Sequence, residues 1–232
     1  MIGVVALLSR PRFLLDVLAN FERQTHPDKL LVIVENGPGL GACRALGGGG
    51  YSVTTSEPDR SCARNVGIEH LRELGIEHFA FFEDDDVYLP GYLAEHWANR
   101  ERADILGKIC FVLEHWPTRE RADSRWLLHS EWETRQLELV GPYPGYLMAG
   151  PVGSTIFGRV DRALPWPEPC PAYAEELDWC TDMLRARRTV RATSREHFVR
   201  RRFDGPDHGH ATPGDWRHEV QGGLRLDPAV AA

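Results

Sequence analysis

Four consecutive acids, Glu83-Asp84-Asp85-Asp86, directly follow the apolar run His78-Phe79-Ala80-Phe81-Phe82. Carboxylates packed this closely repel one another and raise each other's pKa values, so a fold tolerates them more readily when a cation relieves the repulsion. Oxygen ligands with no thiolate or imidazole pair nearby favour Mg²⁺ or Mn²⁺ over Zn²⁺, and such ions usually keep positions open for substrate phosphates. Phe81 and Phe82 on one side, and Val87, Leu89 and Pro90 on the other, would fix the acids at a rigid strand end. A solvated acidic turn accounts for the same run at this level. A second group, Glu175, Glu176 and Asp178, opens a later helical segment, where acids also serve simply to complement the helix dipole.

The remaining charge is unevenly spread. The net charge is −7, yet residues 185–202 hold eight arginines against the single acid Glu196, so that segment carries +7 and the rest of the chain −14. Such a stretch could serve a diphosphate, an anionic acceptor, a phospholipid surface or nucleic acid, but neutralisation of the acidic face within the molecule is the favoured reading. No aromatic residues interleave it to stack single-stranded bases, and the net negative charge argues against a general nucleic-acid binder. The five cysteines are scattered and never form a C-x-x-C pair, which indicates neither a disulfide framework nor a thiolate zinc site and predicts a cytoplasmic protein. No apolar run reaches the length of a membrane span, and the N-terminal run at residues 2–8 lacks the basic leader of a signal peptide.

The elements that would position these acids alternate between strand and helix. Apolar runs at 2–8, 30–34 and 78–82, with a more exposed one at 51–55, read as strands, and helical spacing recurs from Leu14 to Phe21 and over 61–74. This alternation is the signature of βαβ units and a mostly parallel sheet, at whose carboxyl strand ends ligands bind. Farther on, 90–103 reads as a helix, 105–113 as a strand, 116–139 as a helix or irregular excursion, and 154–157 as a strand. The last helix is expected at 174–187, a returning strand at 189–199, and loop and tail from Arg200 onward. At 232 residues, with 42% apolar and 26% charged residues, the chain can bury a full-sized core; no repeat or linker divides it, which predicts one domain.

Taken in order, four segments resemble those of GT-A-fold glycosyltransferases of family 2, a mostly inverting, nucleotide-sugar-dependent group. Leu8-Ser9-Arg10-Pro11 followed by Leu14, Leu18 and Gln24-Thr25 resembles the first strand and helix of that family. Val32-Ile33-Val34-Glu35-Asn36-Gly37 resembles the second strand, whose acid contacts the nucleotide base, and Ala63-Arg64-Asn65-Val66-Gly67 resembles the A-R-N-x-G element. The run from Phe81 to Pro90 is similar to the strand that ends in a D-x-D motif. The resemblance covers residues 2–93 well and 150–188 moderately. Two departures stand out, since family members usually carry Asp where this chain has Glu35, and often Asp where it has Glu83.

The resemblance implies an α/β fold: a single GT-A-like, Rossmann-like domain over 1–212, with a mostly parallel central sheet flanked by helices. A nucleotide-binding half would span about 1–95, an acceptor-binding half about 96–212, and a C-terminal tail 213–232. It assigns Ser9, Arg10, Glu35, Arg64 and Asp84 to the nucleotide-sugar donor, UDP- or GDP-linked. Mn²⁺ or Mg²⁺ would sit on Glu83, Asp85 and Asp86, with Asp85 the principal ligand; the pairings Glu83 with Asp85 and Asp84 with Asp86 both stay open. A late histidine ligand is assigned to His208. Tyr173-Ala174-Glu175-Glu176-Leu177-Asp178 resembles the family's E-D-x-D helix start, which places the base at Glu176, where the family usually has Asp. Asp178 is the alternative, about 200° away around a helix, so the two cannot point equally into one site. Two other readings share the layout. A sugar-1-phosphate nucleotidyltransferase would carry a long glycine-rich loop after the first strand, and Leu8 to Pro11 is too short for one. A non-catalytic nucleotide-sugar or carbohydrate-binding module would have kept the fold and lost the base.

Overall fold

The computed structural model describes residues 1–37, 51–56, 58–108, 110–115, 121–125, 153–168, 175–193 and 197–202. Strand β1 (Ile2–Leu8) is buried along its whole length, as its unbroken apolar sequence requires of a strand covered on both faces. It pairs in parallel with β2 (Lys29–Glu35) on one side and β4 (His78–Glu83) on the other, and β2 pairs in parallel with β3 (Tyr51–Thr55). Beyond β4 the antiparallel strand β9 (Phe157–Arg159) is inserted, then β6 (Ile105–Gly107) and β10 (Val190–Ala192), giving the order β10-β6-β9-β4-β1-β2-β3. A smaller sheet, β5-β11-β7-β8, combines β5 (Val87–Tyr88), β7 (Cys110–His115), β8 (Arg121–Arg125) and β11 (Phe198–Arg202).

Alternate side chains of the central strands feed two cores, one on each face. Val5, Leu7, Val32, Val34, Phe79 and Phe81 pack with Ala63, Ile68 and Leu71 of α2 (Arg60–Glu73) and with Trp179, Met183 and Leu184 of α4 (Glu175–Arg185). Val4, Ala6, Leu31, Ile33, Ala80 and Phe82 pack with Val17 and Phe21 of α1 (Leu14–Glu22) and with Tyr92 and Leu93 of α3 (Tyr92–Asn99). Asp59 caps α2 by accepting from the Cys62 amide at 2.8 Å. At Gly67 the helix lies directly on β1: a Cβ there would come within 2.2 Å of Val5 Cγ1. The glycine of the A-R-N-x-G element is therefore a close-approach residue that brings Arg64, one turn earlier, over the strand ends.

Several expected elements are shorter or divided. The strand expected over 105–113 breaks at Lys108, whose amide donates to Thr155 Oγ1 at 2.8 Å, and becomes β6 and β7 in different sheets. The one expected over 189–199 likewise becomes β10 and β11, and His197, at φ 66°, turns the chain into β11. Residues 153–155 form a 3-10 turn before β9, so the strand expected at 154–157 starts later. The helix expected over 90–103 is α3 followed by a 3-10 turn at Arg100–Arg102. The strand β8 lies inside the stretch expected to be helical or irregular at 116–139, the rest of which falls outside the described residues. Nor does the loop begin at Arg200, because β11 continues to Arg202, paired with β7. Finally, α4 ends at Arg185: Arg187, at φ 59°, and Arg188 donate to the carbonyls of Leu184 and Met183 at 2.9 Å each. This is a left-handed helix stop made without glycine.

Candidate active site

The carboxyl ends of β1, β2 and β4 lie side by side, with Leu7 opposite Glu83 and Leu8 opposite Glu35. Helix α2 begins at this same end, and α4 leads back to the amino end of β10, so its first turn also faces this way. Here β4 runs out into the acidic turn.

Each acid meets a different environment. Asp84, only 2% exposed, accepts from the amide and hydroxyl of Ser9 at 2.9 and 3.0 Å, and from the Arg10 amide at 2.9 Å. The Arg10 guanidinium closes on Asp84 and also reaches Asp85 Oδ2 at 2.8 Å. Asp84 thus clasps the loop after β1, and burial raises its carboxyl above the usual range although the Arg10 hydrogen bonds oppose that. The same loop sits against Gly37, where a Cβ would come within 1.9 Å of the Ser9 carbonyl oxygen. Glu83 Oε1 accepts from Arg64 Nη2 at 2.8 Å. Burial would push Glu83 upward, but the charges of Arg60, Arg64, Arg200 and Arg10 outweigh it and hold the carboxyl below its ordinary value.

Asp86 is the most perturbed. Its Oδ1 accepts from the Arg201 amide at 3.1 Å, while Oδ2 is buried with no partner among the described residues. Burial, reinforced by the neighbouring Asp85 charge, pushes its carboxyl up to about 8. Ligand oxygens of Glu83, Asp85 and Asp86 lie within 4.8 Å of one another. A buried carboxylate oxygen without a donor, beside two further carboxylates, is an arrangement a hard divalent cation fits and a proton only partly relieves. Asp84 is turned away from this group toward Ser9 and Arg10.

Asn20, Tyr88 and Gln24 hold the turn. Asn20 donates to the Asp86 carbonyl at 2.8 Å and accepts from the Tyr88 amide at 3.1 Å. The Tyr88 hydroxyl accepts from the Glu83 amide at 2.8 Å and donates to the Ser154 carbonyl at 2.9 Å. Gln24 donates to the carbonyls of Tyr88 and Leu89 and accepts from the Leu93 amide. The signal in the sequence is polar side chains at positions that fold to the inside: Asn20 on the buried side of α1 and Gln24 just past its end are both almost fully buried. From the arginine-rich segment, Arg201 bonds Asp86 through its backbone and approaches Asp16 at 3.4 Å, and the charge of Arg200 bears on Glu83 and Asp86.

The other sequence-derived candidates are placed as follows. Glu35 ends β2, 4% exposed. Glu176 and Asp178 lie in the first turn of α4, and their side chains fall outside the described atoms, as His208 falls outside the described residues. His197 packs its ring where a Cβ on Gly91 would sit, at the far end of the β5–β11 ladder from Asp86. No helix among the described residues is long and apolar enough to cross a membrane.

No family model and no curated protein matches the chain. Solved structures do match in fold. The S. aureus TarS 1–349 structure in complex with UDP-GlcNAc aligns with TM-score 0.62 at 13% identity, covering 90% of this chain and 61% of that one. The mannosyltransferase PcManGT from Pyrobaculum calidifontis, in complex with GDP-Man and Mn²⁺, aligns with TM-score 0.57 at 13% identity, covering 94% and 58%. GalNAc-T7 with UDP, GalNAc and Mn²⁺ aligns with TM-score 0.59 at 9% identity, covering 87% and 44%. The chain therefore spans about three fifths or less of the length of these structures, and what it shares with them is the GT-A fold: a mixed α/β architecture around a mostly parallel sheet.

Proposed function

We propose that the chain is a metal-dependent glycosyltransferase of the family 2 kind. It moves a sugar from a nucleoside-diphosphate donor, UDP- or GDP-linked, to an acceptor hydroxyl with inversion. The observation that carries this reading is the meeting of Glu83, Asp85 and Asp86 at the carboxyl end of β4, with Asp86 Oδ2 buried and unpartnered among the described residues. The fold shared with nucleotide-sugar transferases supports it, as do the ligands of those structures.

Glu83, Asp85 and Asp86 would hold Mn²⁺ or Mg²⁺, which supplies positive charge against the diphosphate as the sugar departs. Arg10 and Arg64 add fixed positive charge, each anchored on a carboxylate so that it needs no rearrangement when the donor arrives. Ser9 and Asp84 shape the loop beside them, and Glu35 offers an acceptor for the donor's base. Glu176 takes the proton of the acceptor hydroxyl, with Asp178 as the alternative base, and His208 is an added metal ligand. Residues 1–212 act as one domain, with acceptor recognition in 96–212, in the cytoplasm.

The test is consumption of nucleotide sugars by the purified protein, alone and with candidate acceptors. Loss of turnover in Glu176→Ala or Asp178→Ala, with donor binding kept, supports the reading and names the base. A wild-type protein that binds a nucleotide sugar and never consumes it is a binding module instead.

A further inference from the structure

Arg64 is a fully buried arginine, and its contact with Glu83 does not explain what covers its faces. Its guanidinium lies 4.2 Å from the centre of the Trp166 ring, while its Nη2 donates to Glu83. Trp166 also stacks on Trp179 of α4: the two indoles lie with centroids 4.5 Å apart and planes 4° from parallel. Phe81, from the strand that ends in the acids, meets the edge of Trp166 at 5.7 Å. One continuous stack therefore runs from a carboxylate of the acidic cluster, through Arg64 and Trp166, to the second turn of α4.

Each member is fixed independently. Asn65, next to Arg64, grips the Trp166 backbone in both directions, accepting from its amide at 2.7 Å and donating to its carbonyl at 3.0 Å. Pro165 and Pro167 flank Trp166 and restrict the chain on both sides. Trp179 donates its indole N–H to the Leu164 carbonyl at 2.8 Å. The Trp166 indole nitrogen, by contrast, is buried with no partner among the described residues, so this ring is held by its faces. Stacking of a guanidinium on an indole and of indole on indole is directional and strengthened by desolvation, so the stack sets a spacing as well as burying area.

We propose that Trp166 is a positioning residue that registers α4, and with it the segment carrying Glu176 and Asp178, against Glu83. The positioning role rests on the function proposed above; the coupling between Glu83 and α4 does not. Two measurements separate them. The first is amide hydrogen exchange of residues 175–185 in the intact 232-residue chain, for wild type, Glu83→Gln, Trp166→Leu and the double variant. If the stack couples the sites, Glu83→Gln speeds exchange across α4 at least threefold in the wild-type background and has no further effect in Trp166→Leu. An equal effect in both backgrounds, or none in wild type, overturns the proposal.

The second is steady-state hydrolysis of the nucleotide sugar that the wild type consumes. Trp166→Leu should lower kcat at least tenfold with KM within about twofold, and Trp166→Phe, which keeps an aromatic face and dispenses with the idle N–H, should restore most of it. A fall in thermal stability with kcat unchanged overturns the positioning role. Absence of any turnover by the wild type overturns it too, through the failure of the transferase reading, and the exchange result then decides the coupling by itself.

Discussion

Asp84 belongs to the acidic run in sequence but to the loop after β1 in structure, and removing it should reveal which. Asp84→Ala deletes the acceptor of the Ser9 amide and hydroxyl and of the Arg10 amide, and strips one carboxylate from the Arg10 guanidinium. Removing one partner of a buried ion pair costs about 3–5 kcal/mol, because the other charge stays behind. Arg10 keeps Asp85 at 2.8 Å and its side chain is 20% exposed, so the lower end applies, about 3 kcal/mol. In a domain of this size each kcal/mol moves the melting midpoint by about 2–4 °C, so the fall should be about 6–12 °C. Asp84→Asn keeps an acceptor oxygen and should cost about half as much, since a neutral acceptor makes weaker bonds than a charged one. Mn²⁺ titrations of the same variants give the second axis, with affinity in Asp84→Asn within about tenfold of wild type, the range expected of a change next to a ligand. The clasp is refuted if Asp84→Ala unfolds within about 0.5 kcal/mol of wild type, the size of an ordinary surface change. Placement of the ion is refuted if Asp84→Asn abolishes Mn²⁺ binding while Asp86→Asn leaves it intact.

Other consequences concern the elements behind the site. Gly67→Ala forces α2 off β1 and should cost about 1–2 kcal/mol in a denaturant melt, helix propensity returning part of the overpacking strain; a stabilised variant contradicts the close approach. Asn20→Ala leaves the Asp86 carbonyl and the Tyr88 amide without their partner, which should lower stability by about 2 kcal/mol and weaken Mn²⁺ binding; unchanged affinity would show that the turn holds its shape alone. Burial lowers the pKa values of His26 and His78, and that of His96 to about 3. Protons then bind these histidines first in the unfolded chain, so their contribution to stability is complete above about pH 6.5 and falls with acidification, by about 1.4 kcal/mol per pH unit for His96 alone, while the raised carboxyl of Asp86 contributes a slope of the opposite sign. His96→Leu should flatten the histidine slope between pH 6.5 and 5, and an unchanged slope would place the acid sensitivity elsewhere.

The sequence was most readable where one physical cause dominates. The strands β1, β2 and β4 are buried on both faces, so their apolar runs mark them directly, and the acids beyond Phe82 mark where burial ends. What lay hidden depends on partners distant in the chain. Nothing local distinguishes Asp84 from its neighbours, because its environment is made by Ser9 and Arg10, some 75 residues away. The segment 189–199 carries the composition of one strand, and only its two different pairing partners, β6 and β7, divide it. Trp166 lies between two prolines in a stretch without periodicity, and its meaning appears only with Arg64 and Trp179 on its faces.

The proposed function rests on a metal-dependent nucleotide-sugar site formed by Glu83, Asp85 and Asp86. Its most direct test is calorimetric binding of UDP, GDP, CDP and dTDP, each with Mn²⁺ and again with chelator, to wild type and to Asp85→Ala. The account predicts that one nucleotide binds with Mn²⁺ alone and that Asp85→Ala loses it. Binding of no nucleotide, or equal binding in chelator and in the variant, would contradict it and leave the acids as a neutralised turn on a shared fold.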